Sequence, residues 1–313
     1  MPRKIIIDTD PGQDDAVAIL LALASPEELD VRAIVAVAGN VPLSFTALNA
    51  RKIVELAGRS DVPVYAGCDR PIVRALRTAE HVHGKTGLNG PDLPEPKIQL
   101  QKQHGVDYLI DALRAAPSGE ITLCLLGAAT NLALAMRKAP DIAGRIAEIV
   151  WMGGAYFEVG NITPAAEFNI FIDPEAADIV LNSGVPITMM PLDVTHQCLS
   201  TAARIARFHA LGNRVGAAVA EMLSFSERFD RNKYQWDGAP LHDPCVTAYL
   251  LRPDLFRGRR INVSVEMEGK LTAGMTVADW WRVTDRPANV MFMREVDADG
   301  FYDLLAERLA RLP

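Results

Sequence analysis

Cysteine is scarce here and shows no pairing pattern: Cys68, Cys124, Cys198 and Cys245 lie far apart, and no C-x-x-C occurs. This spacing indicates neither a disulfide framework nor a zinc site, and it fits reduced thiols in a cytoplasmic protein. Long apolar runs are also missing. MPRKIII begins like a secretory leader, but Asp8 ends its apolar run after Ile7. The longest uncharged stretch, ITLCLLGAATNLALAM (121–136), contains Gly127, Thr130 and Asn131 and is too short and too polar to span a bilayer. Positive charge is not in excess. A formal net charge of −7 disfavours a nucleic-acid polymer or an anionic membrane as the main partner, while leaving small ring-containing ligands open. Repeats and low-complexity linkers are absent. With 49% hydrophobic and 23% charged residues over 313 positions, the composition is that of a soluble globular enzyme.

What is present is an alternation of two patterns. KIIID (4–8), VRAIVAVA (31–38), VPVYAG (62–67), ITLCLLG (121–127), AEIVWMGG (147–154) and VPITMMPLD (185–193) are short, β-branched and nearly continuous in apolar character, as buried strands are. Between them DDAVAILLALA, LSFTALNARKIVELAG, TNLALAMRKA and PEAADIVLNSG place apolar residues three and four apart, as helices do. This predicts one α/β domain over 1–313, with a single open, mostly parallel sheet flanked by helices. RINVSVEME and NVMFMREV add strands near the end, and FYDLLAERLARL a terminal helix. Two stretches break the rhythm. Residues 67–97 are too long for an ordinary connection and are expected to form an active-site loop. Residues 224–241, SFSERFDRNKYQWDGAPL, mix aromatic and charged residues and are expected to form a helix leading into a lid.

In open α/β sheets ligands bind beyond the carboxyl ends of the strands, and polar residues collect there. DTDPGQDD follows the first predicted strand, Gly39-Asn40 the second, LGAATN the fourth, MGGAYFEVGNITPAAEFN the fifth and LDVTH the sixth. The first is the most unusual: Asp8, Asp10, Asp14 and Asp15 crowd one turn with no cation among them. Acids in the first turn of a helix complement its dipole, which accounts for Asp14 and Asp15. That reading leaves Asp10, before Pro11-Gly12, unexplained, whereas a hard divalent cation taking oxygens from Asp10 and Asp15 relieves the repulsion. Near the other end, His242-Asp243-Pro244 fits a helix start with Asp243 as N-cap, and equally fits a metal oxygen beside a histidine able to act as an acid. Glu167 and Asn169 alternate with Phe168, so on an extended segment they share one side and suit a polyhydroxylated ligand. Met152 and Gly153-Gly154 close the fifth strand, where core packing and ligand contact are both open.

DTDPGQDD near the start, EFNIFIDPEAA in the middle and PLHDPC around residue 243 together resemble the nucleoside hydrolase family over nearly the whole chain. VHGKTGLNGP (82–91), TPAAEFN and GAPLHDPC are most similar to the bacterial pyrimidine-preferring ribonucleoside hydrolases. The resemblance implies Ca²⁺-dependent cleavage of the N-glycosidic bond of ribonucleosides by a homodimer or homotetramer, with uridine or cytidine as preferred substrates. It implies that Asp10, Asp15, Asp243 and the backbone carbonyl of Leu126 hold Ca²⁺, ribose hydroxyls and waters completing a shell of about eight oxygens. Asp14, Asn40, Glu167 and Asn169 would grip the ribose, with Met152 beneath it. His83 and His242 would face the base, and Asp10 would be the general base. His242, with His83 second, would assist the departing base.

Phe229, Tyr234 and Trp236 are candidates for stacking on the base, with core or lid packing as the alternative for each. Other functions remain open at this level. They are a hydrolase acting on purine and pyrimidine nucleosides alike, a haloacid-dehalogenase-like phosphatase using Asp8-Thr9-Asp10 with Mg²⁺, and a non-catalytic nucleoside-binding protein.

Overall fold

A computed structural model describes residues 1–313, the side chains of Asp230 and Asn232 excepted. Twelve strands are present among the described residues: β1 (Arg3–Thr9), β2 (Leu29–Ala36), β3 (Val64–Ala66), β4 (Ile121–Leu125), β5 (Ile146–Met152), β6 (Ile187–Met190), β7 (Leu199–Thr201), β8 (Gly238–Pro240), β9 (Phe256–Ile261), β10 (Val263–Val265), β11 (Thr276–Ala278) and β12 (Val290–Val296). Eight of them form one sheet in the order β3-β2-β1-β4-β5-β6-β12-β9. All neighbours pair in parallel except β9 on β12. The mostly parallel sheet with covering helices is the expected fold class.

The strand order contains a reversal that places the site. From β1 the chain builds outward through β2 and β3, then returns to β4 on the other side of β1 and builds outward again. At such a switch the connections leave the sheet in opposite directions and open a crevice at the carboxyl ends of the two central strands. Asp10 directly follows β1 and Leu126 directly follows β4, so both stand at this crevice.

The helix Gln13–Leu23 lies over it. Its residues Ala16 to Ala22 are fully buried, because it is apolar on all sides and is enclosed by the helices Leu43–Leu56, Arg214–Tyr234, Pro244–Leu251 and Ala298–Leu309. The Thr247 hydroxyl donates to the Ala18 carbonyl at 3.1 Å, locking the helix Pro244–Leu251 against it. That contact brings a segment from late in the chain alongside the acid turn.

Three expectations need correction. The third strand is confined to Val64–Ala66. RINVSVEME is not one strand: β9 stays in the large sheet, while β10 turns away to pair with β11. The break follows Asn289, whose side chain accepts from the Val263 N–H at 2.8 Å and donates to the Val263 and Leu181 carbonyls, so the backbone there bonds to a side chain rather than to β12. Glu167 and Asn169 do not lie on an extended segment either. Glu167 is the N-cap of the helix Phe168–Ile172 and Asn169 sits in its first turn, because the carboxylate caps the N–H groups of Asn169 and Ile170.

Asn131 is a second fixed point at the switch. Fully buried, it donates to Asp8 Oδ1 at 2.8 Å and accepts from the Cys68 N–H at 2.7 Å, tying β1 to the loop after β3. Asp8 Oδ2 has no partner among the described residues, and burial raises this carboxyl to about 7 despite the Asn131 hydrogen bond. Asn131→Ala is therefore expected to lose about 1–3 kcal/mol in urea denaturation, the cost of leaving a buried polar group unpaired. An unchanged midpoint would show that this bond adds nothing to the fold.

Candidate active site

The acid turn is organised by its own backbone and by Asn40. Asp15 Oδ2 accepts the Gly12 N–H at 2.9 Å and Oδ1 accepts the Thr9 hydroxyl, so Asp15 closes the helix start at Gly12. The Asn40 side chain donates to the Asp10 carbonyl at 3.1 Å and to Asp15 Oδ2 at 3.2 Å, and its backbone N–H donates to Asp10 Oδ2 at 2.6 Å. Asp10 Oδ1 is buried with no hydrogen-bond partner among the described residues. Gly39 and Gly127 flank this carboxylate so closely that a Cβ on either would collide with it. Backbone close approach, not a turn requirement, accounts for these two glycines.

Asp243 arrives from the helix Pro244–Leu251. It occupies the N-cap position but makes no side-chain capping bond, so its carboxylate is free to point at the acid turn. Ligating oxygens of Asp14, Asp15 and Asp243 lie within 4.8 Å of one another. Asp10 is not one of these three; it stands behind them, fully buried, with its unpaired oxygen. Burial and then mutual repulsion raise Asp10 and Asp243 well above the carboxylate range. Burial also raises Asp14 and Asp15 to about 6, with the Asp14 charge adding to the effect on Asp15. Clustered hard oxygens, one of them orphaned, fit a divalent cation. Among the described residues the clustered donor set is Asp14, Asp15 and Asp243, with Asp10 near it but outside it.

The opposite wall carries hydrogen-bonding groups held rigidly. Glu167 accepts from Asn169 N–H at 2.8 Å, Gly154 N–H at 2.9 Å and Ile170 N–H at 3.2 Å, yet burial still raises its carboxyl to about 7. The Asn169 side-chain amide donates to the Leu126 carbonyl at 2.7 Å and approaches the Met152 carbonyl and Sδ at 3.2 and 3.3 Å. Leu126, Met152, Glu167 and Asn169 meet here, and with Asp14, Asn40 and Asp243 they line a single cavity. A carbonyl has two lone pairs, so the bond from Asn169 leaves Leu126 one free acceptor position.

Histidines and aromatic residues line the same cavity. His83 Nδ1 meets Gln13 Oε1 at 2.7 Å, while Gln13 Nε2 donates to the His83 and Asn89 carbonyls, each at 3.0 Å. His242 Nδ1 meets the Thr195 hydroxyl at 2.7 Å. Burial lowers His83 to about 4 and His242 well below the ordinary histidine value. Burial thus favours the neutral form of both rings.

Phe229, Tyr234 and Trp236 line the cavity too. Tyr234 stacks on Trp236 with ring centroids 4.7 Å apart, and Trp236 meets His196 edge-on at 4.9 Å. Residues 67–97 contribute His81, Val82 and His83 to the lining, and the helix Arg214–Tyr234 with the segment after it contributes the aromatic group. Reading the sequence missed Gln13, Asn161, Thr195, His196 and Lys233. The rule that polar residues gather after strands had marked LDVTH, so the signal for Thr195 and His196 was present. Lys233, whose ammonium reaches the Asn161 carbonyl at 3.3 Å, sits on a helix with no such signal.

Residues 5–303 match the inosine-uridine preferring nucleoside hydrolase family. The chain is 55% identical to an uncharacterized protein of Schizosaccharomyces pombe over 99% of this chain and 100% of that one. It is 48% identical to the pyrimidine-specific ribonucleoside hydrolase RihA of Salmonella arizonae over 99% of both. Its fold superposes on the purine-preferring ribonucleoside hydrolase of Gardnerella vaginalis with a TM-score of 0.92 at 32% identity, covering 98% of both chains.

The raised carboxyls give the site a pH signature. An unfolded aspartate titrates near 3.8 while Asp14 and Asp15 titrate near 6 in the fold, so between these values the folded chain binds more protons than the unfolded one. Stability of the metal-free protein therefore falls as pH rises through this window. A cation that binds only the folded chain adds about 2.7 kcal/mol at a hundredfold excess over its dissociation constant. Protons compete for the same oxygens, so Ca²⁺ added to chelator-stripped protein is expected to raise Tm more at about pH 7.5 than at about pH 5. Equal shifts at both pH values, or none, would count against a cation at these acids.

Proposed function

The chain belongs to the inosine-uridine preferring nucleoside hydrolase family, hydrolases of the N-glycosidic bond of ribonucleosides, and we propose that it is a Ca²⁺-dependent enzyme preferring uridine and cytidine. The observation that carries the reading is the orphaned Asp10 Oδ1, buried near the clustered Asp14, Asp15 and Asp243, beside a cavity lined by Asp14, Asp243 and aromatic residues. Asp10, Asp15, Asp243 and the Leu126 carbonyl would hold the ion. When bound, it supplies a positive charge that acidifies water and orients ribose hydroxyls.

The residues divide the remaining chemistry between them. Breaking the bond from the anomeric carbon to the base leaves positive charge on the sugar and negative charge on the base, by analogy with oxocarbenium-like glycoside cleavage. Asp10, its Oδ1 unsatisfied and its other oxygen fixed by the Asn40 N–H, accepts the proton of the attacking water. Asp14, Glu167, Asn40 and Asn169 bind the ribose hydroxyls, and the two carboxylates favour the cationic ring. Met152 packs beneath the sugar. His242, with His83 beside it, offers a hydrogen bond to the departing base. Phe229, Tyr234 and Trp236 pack on that base, with residues 67–97 as the active-site loop and 224–241 as the lid.

The pyrimidine preference draws on the Salmonella relative, whose printed specificity is for pyrimidines. The likeness to a purine-preferring enzyme favours a second reading, a broader hydrolase acting on both base classes. Homo-oligomeric assembly as a dimer or tetramer, and a cytoplasmic location, are part of the proposal. Among the described residues no helix is long and apolar enough to cross a membrane.

A reducing-sugar assay with uridine, cytidine, inosine and adenosine, with and without chelator, is expected to show ribose release fastest from the two pyrimidines and abolished by chelation. Faster release from inosine would replace the pyrimidine preference, and no release from any of the four would sink the proposal. Asp10→Asn should lower kcat by about 10²–10⁴-fold while the far-ultraviolet spectrum stays native, and undiminished turnover would remove Asp10 as the base.

A further inference from the structure

Thr195 ends the helix Leu192–Thr195, directly after β6, and is fully buried. Its backbone N–H is used within the helix, donating to the Pro191 carbonyl at 3.1 Å. Among the described residues its hydroxyl has one hydrogen-bond partner, Nδ1 of His242 at 2.7 Å. The approach of these two side chains is held from both sides. β7 pairs with β8, and the Leu241 N–H donates to the Cys198 carbonyl at 2.9 Å, so the residue before His242 is fixed to the strand that follows the Thr195 helix.

A neutral imidazole carries one proton, and the hydrogen bond made by one nitrogen decides where that proton sits. Two arrangements satisfy the distance. If Nδ1–H donated to Thr195 Oγ1, the buried hydroxyl hydrogen would be left without an acceptor, which native interiors avoid. If the hydroxyl donates to the Nδ1 lone pair, every hydrogen in the pair is used. The proton then resides on Nε2, the remaining polar atom of a ring that lines the cavity. We propose that Thr195 is a positioning residue that, by donating its hydroxyl to Nδ1, fixes His242 as the Nε2–H tautomer, so that the ring presents a hydrogen-bond donor, not an acceptor, to the base.

The proposal deepens the nucleosidase reading above and rests on it for the identity of the group that accepts this bond. Negative charge gathers on the base as the glycosidic bond breaks, so a donor aimed at it gains strength in the transition state. An imidazole with the opposite tautomer would place a lone pair against that charge and oppose the same step. The effect belongs to leaving groups that need such a bond. A p-nitrophenolate, stable as an anion, should be nearly indifferent to it.

The test compares Thr195→Val, which keeps the shape and removes the hydroxyl, with Thr195→Ser, which restores it. Thr195→Val is expected to lower kcat on uridine by about 10²-fold and on p-nitrophenyl riboside by less than about threefold, with Thr195→Ser close to wild type. Equal loss on both substrates, or no loss on uridine, would overturn the proposal. Nitrogen-15 spectra of histidine-labelled wild-type protein, with His242 identified by difference against His242→Ala, read the tautomer directly and do not depend on turnover. An Nε2-protonated ring is expected, and an Nδ1-protonated ring would overturn the proposal even if Thr195→Val were inactive. Should the wild type release no ribose from any nucleoside, it is the nucleosidase reading that fails, while the spectra still decide the tautomer.

Discussion

One electrostatic constraint governs the carboxyl edge of the sheet: Asp10, Asp14, Asp15 and Asp243 converge there, burial pushes all four carboxyls upward, and neighbouring charge adds to the effect on Asp10, Asp15 and Asp243. A carboxylate withdrawn from solvent costs several kcal/mol unless it is paired. Hydrogen bonds relieve part of this, since Asp15 has the Thr9 hydroxyl and the Gly12 N–H, and Asp10 Oδ2 has the Asn40 N–H. They do not relieve Asp10 Oδ1. A chain shaped for stability alone would place apolar side chains here, yet Gly39 and Gly127 instead open space around the acid. Protons or a positive charge among the oxygens relieve this cost, and either draws on the acid turn and the late segment at Asp243 together.

The fold supplies the convergence. Parallel strands bring their carboxyl ends to one edge, and the reversal at β1 and β4 opens that edge for Asp10 and Leu126. Two helix N-termini then point at the same cluster: Asp14 and Asp15 lie in the first turn of Gln13–Leu23, and Asp243 is the N-cap of Pro244–Leu251. The partial positive charge of each N-terminus offsets a little of the repulsion. Their contact through Thr247 and Ala18 sets the distance between the two groups of acids. The helix Gln13–Leu23, apolar on every side from Ala16 onward, is thus more than core filling. It is the rigid member against which both groups are placed.

How much of this the sequence disclosed depended on how local each cause was. Strands β1, β2, β4, β5 and β6 were legible because burial on both faces leaves a continuous apolar run. The acid turn was legible because four like charges in one turn need a reason wherever the chain goes. The break at Asn262 between β9 and β10 was not, since it depends on the Asn289 side chain, distant in sequence. Glu167 misled for a related reason. Alternation of polar and apolar residues suggests an extended strand, but a carboxylate able to cap its own following N–H groups wins locally and starts a helix. Gln13 lay within the motif and was passed over because its partner, His83, is brought to it only by the fold.

The acids and the histidines of the cavity differ in what burial does to them. Desolvation raises the carboxyls, so the acids hold protons or need a cation, and it lowers the imidazoles, which favours the neutral rings of His83 and His242. The same physical cause thus acts in opposite senses on the two kinds of group. That contrast bears on how easily each was legible in the sequence. Carboxylates at a strand end carry a specific demand for charge, whereas Phe229, Tyr234 and Trp236 offer faces on which any planar base can rest. On the proposed nucleosidase reading, discrimination among bases falls to the few polar atoms of the lining. On the same proposal their hydrogen-bonding sense is set by neighbours such as Thr195, which meets His242 Nδ1, and not by the lining residues alone. A histidine's contribution there is decided by which nitrogen bears its proton, a property that residue identity does not encode and that only the surrounding fold fixes.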